Sequence, residues 1–208
     1  MDSRGLGIGM AFVVLAAASY FSRESFWEEA WTGAKREDTR LIMIDAGHGG
    51  NDPGKVGVDG VLEKDLNLAK KLKTLLEQQD MEVMLVREED RGLYDENASN
   101  KKVQDMKRRC ELINEEQPVC VVSIHQNSYH EESIHGAQVF YYSTSRESEK
   151  LAKVLQSELV RVAEPENTRQ AKANDTYYLL KKTEAPVVIV ECGFLSNWRE
   201  ASLLGDEE

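Results

Sequence analysis

From residue 40 onward the chain alternates between short unbroken apolar runs and longer segments in which apolar residues recur every three or four positions. LIMID (41–45) is a run of the first kind, as expected of a strand covered on both faces. Over 62–79, Leu62, Leu66, Ala69, Leu72, Leu75 and Leu76 fall at helical spacing with Lys and Glu between them, which predicts an amphipathic helix. MEVMLV (81–86) predicts a second strand, 100–116 a helix, VCVVSI (119–124) a strand, AQVFYY (137–142) another, 145–162 a helix and VVIV (187–190) a strand. A short helix over 198–204 and an acidic tail close the chain. Such a series places the fold in the α/β class, as a twisted mixed, mostly parallel sheet with helices on both faces.

The amino-terminal part reads differently. Arg4 precedes an apolar run over 5–21, and Arg23 opens a charged, aromatic stretch. That run is at the short limit for crossing hydrocarbon and slightly long for the core of a secretion signal. Residues 1–39 are therefore expected to be a signal peptide or signal anchor with a linker, and 40–208 one domain acting outside the cytoplasm. A buried helix at the amino end of the fold is the other reading, and cleavage of the segment is left open.

Composition narrows the function. With 208 residues, 41% apolar and 30% charged, the chain can bury an ordinary core. A formal charge of -11 without a basic stripe argues against nucleic acid as a partner. Cys110, Cys120 and Cys192 have neither the spacing of a disulfide framework nor that of a cysteine zinc site, and read as buried thiols.

Two histidines and two glutamates carry the candidate chemistry: His48 in IDAGHGG, Glu63 in GVLEKDLNLA, His125 in VVSIHQN and Glu191 in VVIVECGF. Ligands of open α/β sheets gather beyond the carboxyl ends of the strands, where His48, His125 and Glu191 are expected. Glu63 is expected near the amino end of a helix, where a negative charge is favoured. Two imidazoles and one carboxylate make an open zinc site that keeps a position for water, with the remaining carboxylate as general base. Taken singly each residue has a plainer reading: a turn at GHGG, a hydrogen-bonded strand-end histidine, a first-turn helix carboxylate. Glu191 resists dismissal most, because a carboxylate directly after Val187–Val190 is costly unless paired, protonated or open to a cleft; it can also be read as a fourth ligand. Gly47, Gly49 and Gly50 suggest a tight turn leaving room near a metal. Asp45 and Asn127 are candidates for holding the ring nitrogens or the loops. His130 and His135 read as surface residues.

These stretches, with RCELIN (109–114), HGAQVFY (135–141), Ala171-Lys172, TYYLLKKTEAPVVIVECGFLSN (176–197) and Leu203, resemble the zinc-dependent N-acetylmuramoyl-L-alanine amidases of the Amidase_3 family over about 41–204. Members of that family remove stem peptides from bacterial peptidoglycan. The resemblance implies one Zn2+ held by His48, Glu63 and His125, with Glu191 as the catalytic glutamate. Where the family reads Asp-Pro-Gly-His, this chain has Asp45-Ala46-Gly47-His48, a looser turn that removes no ligand. Where the family reads arginine-isoleucine-alanine-asparagine, Ile113 directly precedes Asn114.

The implied reaction is hydrolysis of the amide joining the lactyl group of N-acetylmuramic acid to L-alanine, on peptidoglycan glycan strands that carry stem peptides. An export segment followed by a bare catalytic domain resembles the sporulation branch of the family. Its product passes to a muramic acid deacetylase to give muramic-δ-lactam in the spore cortex, in the compartment between the forespore membranes. A vegetative amidase of cell separation or wall turnover is the alternative within the family. A non-catalytic peptidoglycan-binding relative is disfavoured because all four residues are present. An accessory protein that loads zinc or opens the site, and the oligomeric state, are left open by the sequence.

Overall fold

The computed structural model describes residues 41–65 and 68–205; the expected export segment lies outside them. Six strands form one sheet in the order β2-β1-β3-β6-β4-β5. They are β1 (Leu41–Ala46), β2 (Glu82–Leu85), β3 (Cys120–Asn127), β4 (Gln138–Tyr141), β5 (Lys172–Ala173) and β6 (Val187–Phe194). β2, β1, β3 and β6 run parallel, β4 is antiparallel to β6, and β5 is parallel to β4. The helices are α1 (Leu68–Glu77), α2 (Lys101–Glu116), α3 (Arg146–Glu158, continued by a π-helical turn over Leu159–Ala163), α4 (Tyr178–Lys182) and α5 (Trp198–Leu204). The mixed, mostly parallel sheet expected from the sequence is the one observed.

Side-chain alternation divides the core between the two faces of the sheet. Ile42, Ile44, Val122, Val188 and Val190 pack with Leu72 and Leu76 of α1 and Leu151 and Leu155 of α3. Leu41, Met43, Val121, Val187 and Ile189 pack on the other face with Cys110 and Ile113 of α2 and Leu179 and Leu180 of α4. Ile42, Met43, Ile44, Val121 and Val188 are fully buried, which is why β1, β3 and β6 read as unbroken apolar runs. Each such side chain contributes roughly 1.5–3 kcal/mol relative to exposure.

Several boundaries differ from the sequence expectation, for local reasons. Of the expected helix over 62–79, the described residues show α-helix over Leu68–Glu77 and a 3-10 turn over Glu63–Asp65. Leu62 bridges to Val56, and the N–H groups of Glu63 and Lys64 donate to the carbonyls of Lys55 and Pro53, so this backbone is committed to a loop rather than to helix. Leu66, one of the periodic positions, lies outside the described residues. β3 and β6 outrun their apolar runs because their polar ends stay in the ladder, with His125 in register with Glu191. β5 has two exposed residues and no apolar signature to find. At α2 the expected 100–116 is met at its end and missed by one residue at its start, because Asn100 stays outside the helix and caps it, its side chain accepting from the Val103 N–H.

From β1 the chain passes through α1 to β2 on one side, then through α2 back to β3 on the other. The connections diverge at the carboxyl ends of β1 and β3, the kind of crevice where open α/β sheets take their ligands.

Candidate metal centre

On the face beneath α2 and α4 the sheet changes from apolar to polar toward its carboxyl edge. Met43 gives way to Asp45 on β1, Val121 to Ser123 and His125 on β3, and Ile189 to Glu191 on β6. His48 lies just beyond β1 in a left-handed backbone conformation, φ 59°. Glu63 reaches into the crevice from the 3-10 turn and is almost wholly buried, with 4% exposed.

The Glu63 carboxylate joins the two imidazoles. Oε2 lies 3.2 Å from His48 Nε2 and accepts from the Lys55 N–H at 2.8 Å. Oε1 lies 3.0 Å from His125 Nδ1 and accepts from the Gln126 N–H at 2.9 Å. The rings of His48 and His125 meet edge to face, 5.0 Å between centroids. Burial pushes the Glu63 pKa up, but the hydrogen bonds and charges of His125 and His48 outweigh it and hold the carboxyl well below the usual range. His48 moves the other way, with burial opposed by Glu63 and by Asp52, whose Oδ2 is 3.1 Å from Nδ1; the net shift is upward.

One ligand atom from each of His48, Glu63 and His125 lies within 4.8 Å of the others. Two imidazoles and an ionised carboxylate converging in this way fit a borderline divalent cation. A cation entering would compete with the proton that Glu63 and Asp52 favour on His48, so binding there releases acid.

Glu191 stands beside this trio. Its register partner across the parallel β3–β6 pair is His125, so the two side chains leave the same face from strands about 4.8 Å apart. Glu191 is 8% exposed and its Oε2 is buried without a hydrogen-bond partner. Burial raises its pKa; the nearby histidines pull it down and Glu63 pushes it up, leaving a net upward shift. The pKa values of two buried carboxyls in one crevice are thus driven apart, Glu63 downward and Glu191 upward, a division typical of sites doing acid–base work.

Glycines shape the cradle, with roles more specific than the sequence conveyed. A Cβ on Gly47 would lie 2.6 Å from both ring nitrogens of His125, and one on Gly54 (φ 71°) would lie 2.5 Å from Glu63 Oε2. Gly49 and Gly50 make room not for the centre but for Arg87 and Tyr94 behind it.

Asp45 and Asn127 hold no ring nitrogen. Asp45, 2% exposed, accepts from Arg109 Nη1 at 2.5 Å and from Ser123 Oγ at 2.6 Å. The Asn127 side chain accepts from the Ser128 N–H, and its backbone carbonyl accepts from the Leu195 N–H, fixing the strand end. Arg109, 1% exposed, also donates to the carbonyls of Ala46 at 2.8 Å and His48 at 2.6 Å and to Asp105 Oδ2 at 2.7 Å. This clamp on the His48 turn was missed by sequence reading; its one signal was an arginine inside an otherwise apolar helix face, Arg109 beside Cys110 and Ile113.

His135 pairs with Glu164 at 2.8 Å, near Glu200. Glu200 accepts the N–H groups of Gly136 and Phe194 with its two oxygens, so this second cluster is a clasp between α5 and the ends of β4 and β6. His130 lies at the surface against Tyr129. Burial raises the Cys110 thiol pKa to about 11 and that of Cys120 to about 12, so both are inert. Cys192 faces away from Glu191, against the opposite core layer.

The family model of the N-acetylmuramoyl-L-alanine amidases designated Amidase_3 matches residues 42–208. A germination-specific N-acetylmuramoyl-L-alanine amidase of Bacillus subtilis is 40% identical over 171 residues, 80% of this chain and 71% of that protein. Among solved structures, the CwlD amidase of Clostridioides difficile in complex with the GerS lipoprotein superposes with a TM-score of 0.77 at 42% identity, covering 81% of this chain and 89% of that one. An N-acetylmuramoyl-L-alanine amidase of Clostridium difficile gives 0.71 at 29% identity, covering 82% and 88%.

Proposed function

The chain belongs to the Amidase_3 family of N-acetylmuramoyl-L-alanine amidases, and from that premise we propose that His48, Glu63 and His125 hold one zinc ion, that Glu191 handles the proton, and that the substrate is spore-cortex peptidoglycan. The observation that carries the site assignment is the buried Glu63 carboxylate reaching both imidazoles, with Glu191 in register beside His125. Zinc bound there supplies Lewis acidity, polarising the scissile carbonyl and bringing the pKa of water toward neutrality.

The remaining work falls to the protein. Glu191, its Oε2 free of any partner and its pKa raised, accepts the proton of the attacking water and returns it to the departing amine of L-alanine. Gly47 and Gly54 let the imidazoles and Glu63 close together without a side chain between them. The Asp45–Arg109 pair keeps the His48 turn in its left-handed conformation, so the histidine is positioned before substrate arrives.

Purified protein incubated with peptidoglycan is expected to release free stem peptides, seen by mass spectrometry, to stop doing so after chelation and to recover on adding zinc. Release of acetate instead would replace the amidase assignment with a deacetylase, and chelator-resistant turnover would remove the metal from the reaction.

The cortex assignment is drawn from the germination-specific relative and the CwlD similarity. It places the protein outside the cytoplasmic membrane, upstream of a muramic acid deacetylase, with a lipoprotein as accessory partner on the model of the CwlD–GerS complex. Among the described residues no helix is long and apolar enough to cross a membrane. Deleting the gene is expected to leave vegetative walls unchanged and to deplete muramic-δ-lactam from spores. Normal lactam with chained vegetative cells would instead make this a cell-separation enzyme.

A further inference from the structure

The two segments that carry His48 and Glu63 are joined from behind by a residue with no place in the reaction. Arg87 follows β2 and points its guanidinium under the turn beyond β1. Nε donates to the Ala46 carbonyl at 2.9 Å, Nη2 to Gly47 at 2.9 Å and to Lys64 at 3.3 Å, and Nη1 to Glu89 at 3.1 Å. Gly47 directly precedes His48 and Lys64 directly follows Glu63, so one planar group spans the backbones of two proposed zinc ligands. Gly49 permits this approach, since a Cβ there would lie 2.9 Å from Arg87 Nε. Three residues on, Asp90 reinforces the link, accepting from the Gly50 N–H at 2.8 Å and from Lys64 Nζ at 2.7 Å. Arg109 holds only the His48 side of the pair.

We infer that Arg87 is a positioning residue that sets the metal affinity of the site by fixing the His48 turn against the Glu63 turn. The inference rests on the zinc reading of His48, Glu63 and His125. His125 is held in the β3 ladder, whereas His48 and Glu63 sit on loops whose separation the sheet does not dictate. A fork of fixed geometry determines that separation; a single ammonium cannot reach the same set of carbonyls. Loss of a group that orients metal ligands typically weakens binding ~10–100-fold.

The test compares Arg87→Ala and Arg87→Lys with the parent and with Asn114→Ala, which breaks a two-bond clasp from α2 to the last residue of α4 and to Glu184 just beyond it, remote from the centre. Zinc affinity is measured by chelator competition, thermal stability on metal-free protein, and turnover at saturating zinc. Both Arg87 variants are expected to bind zinc about 10–100-fold more weakly, with turnover largely recovered once zinc is saturating. Asn114→Ala is expected to keep parental affinity whatever its loss of stability. Parental zinc affinity in Arg87→Ala, full rescue by lysine, or an equal affinity loss in Asn114→Ala would each overturn the inference. If Arg87→Ala does not fold, Arg87→Lys against Asn114→Ala decides by the same criteria. A parent that binds no zinc through His48, Glu63 and His125 would instead remove the proposed function itself.

Discussion

Glu191→Gln is expected to keep its fold and its metal and to lose ~10²–10⁴-fold of its amidase turnover, the usual worth of a positioned general base. The substitution keeps the shape of the side chain and removes the proton acceptor beside His125. It also relieves a cost. Because the folded-state pKa of Glu191 is raised, folding is opposed once the pH passes the unfolded carboxyl value, and more so as it rises further. An amide carries no such penalty, so metal-free Glu191→Gln should melt no lower than the parent at neutral pH. Near-parental turnover would show that another group activates the water, and loss of zinc with the fold intact would make Glu191 a ligand.

Arg109→Met is expected to be the most damaging substitution outside the metal centre. Arg109 and Asp45 are almost fully buried, and among the described residues the other side-chain hydrogen bond to the Asp45 carboxylate comes from Ser123. Removing one partner of a buried pair costs ~3–5 kcal/mol, because a charge is left in the interior without compensation. In a chain of this size that corresponds to a drop of roughly 6–20 °C in Tm. The Asp45 pKa is raised by burial but brought below its ordinary value by Arg109 and Ser123. Its contribution is therefore present above the unfolded carboxyl value and disappears as the pH falls through the folded one. Arg109→Met should consequently lose most at neutral pH and differ least from the parent in acid. A variant melting within 2 °C of the parent, on the order of 0.5–1 kcal/mol, would show that the interior readjusts around Asp45.

What the sequence revealed and what it hid follow from the range of the interactions. His125 and Glu191 were legible because a polar residue at the end of an apolar run is conspicuous, and His48 because glycines crowd it. The class of the sheet was legible because buried parallel strands have no polar alternation. Glu63 was found but given the wrong local structure: helical periodicity in 62–79 is real from Leu68, while the bonds that hold Glu63 and Lys64 in a turn run to Lys55 and Pro53. Arg87 and Arg109 act on carbonyls some 40 to 60 positions away, and no local pattern encodes such a pairing. Asp45 was placed at the centre for the right reason, proximity to His48, yet it serves an arginine and not a ring nitrogen.

The β3–β6 pairing has a bearing on when the protein becomes dangerous. His48, Glu63, His125 and Glu191 come from four separate stretches, and Glu191 meets His125 only when the last strand has docked beside the third. Contacts so distant in sequence are slow to make, because the chain between them must be closed before the pairing repays it. A chain cut before β6 therefore keeps His48, Glu63 and His125 but lacks Glu191, and a full chain whose last strand has not docked holds all four groups without bringing them together. For an enzyme that cuts the polymer enclosing the cell that makes it, completion of the sheet is itself the safety catch.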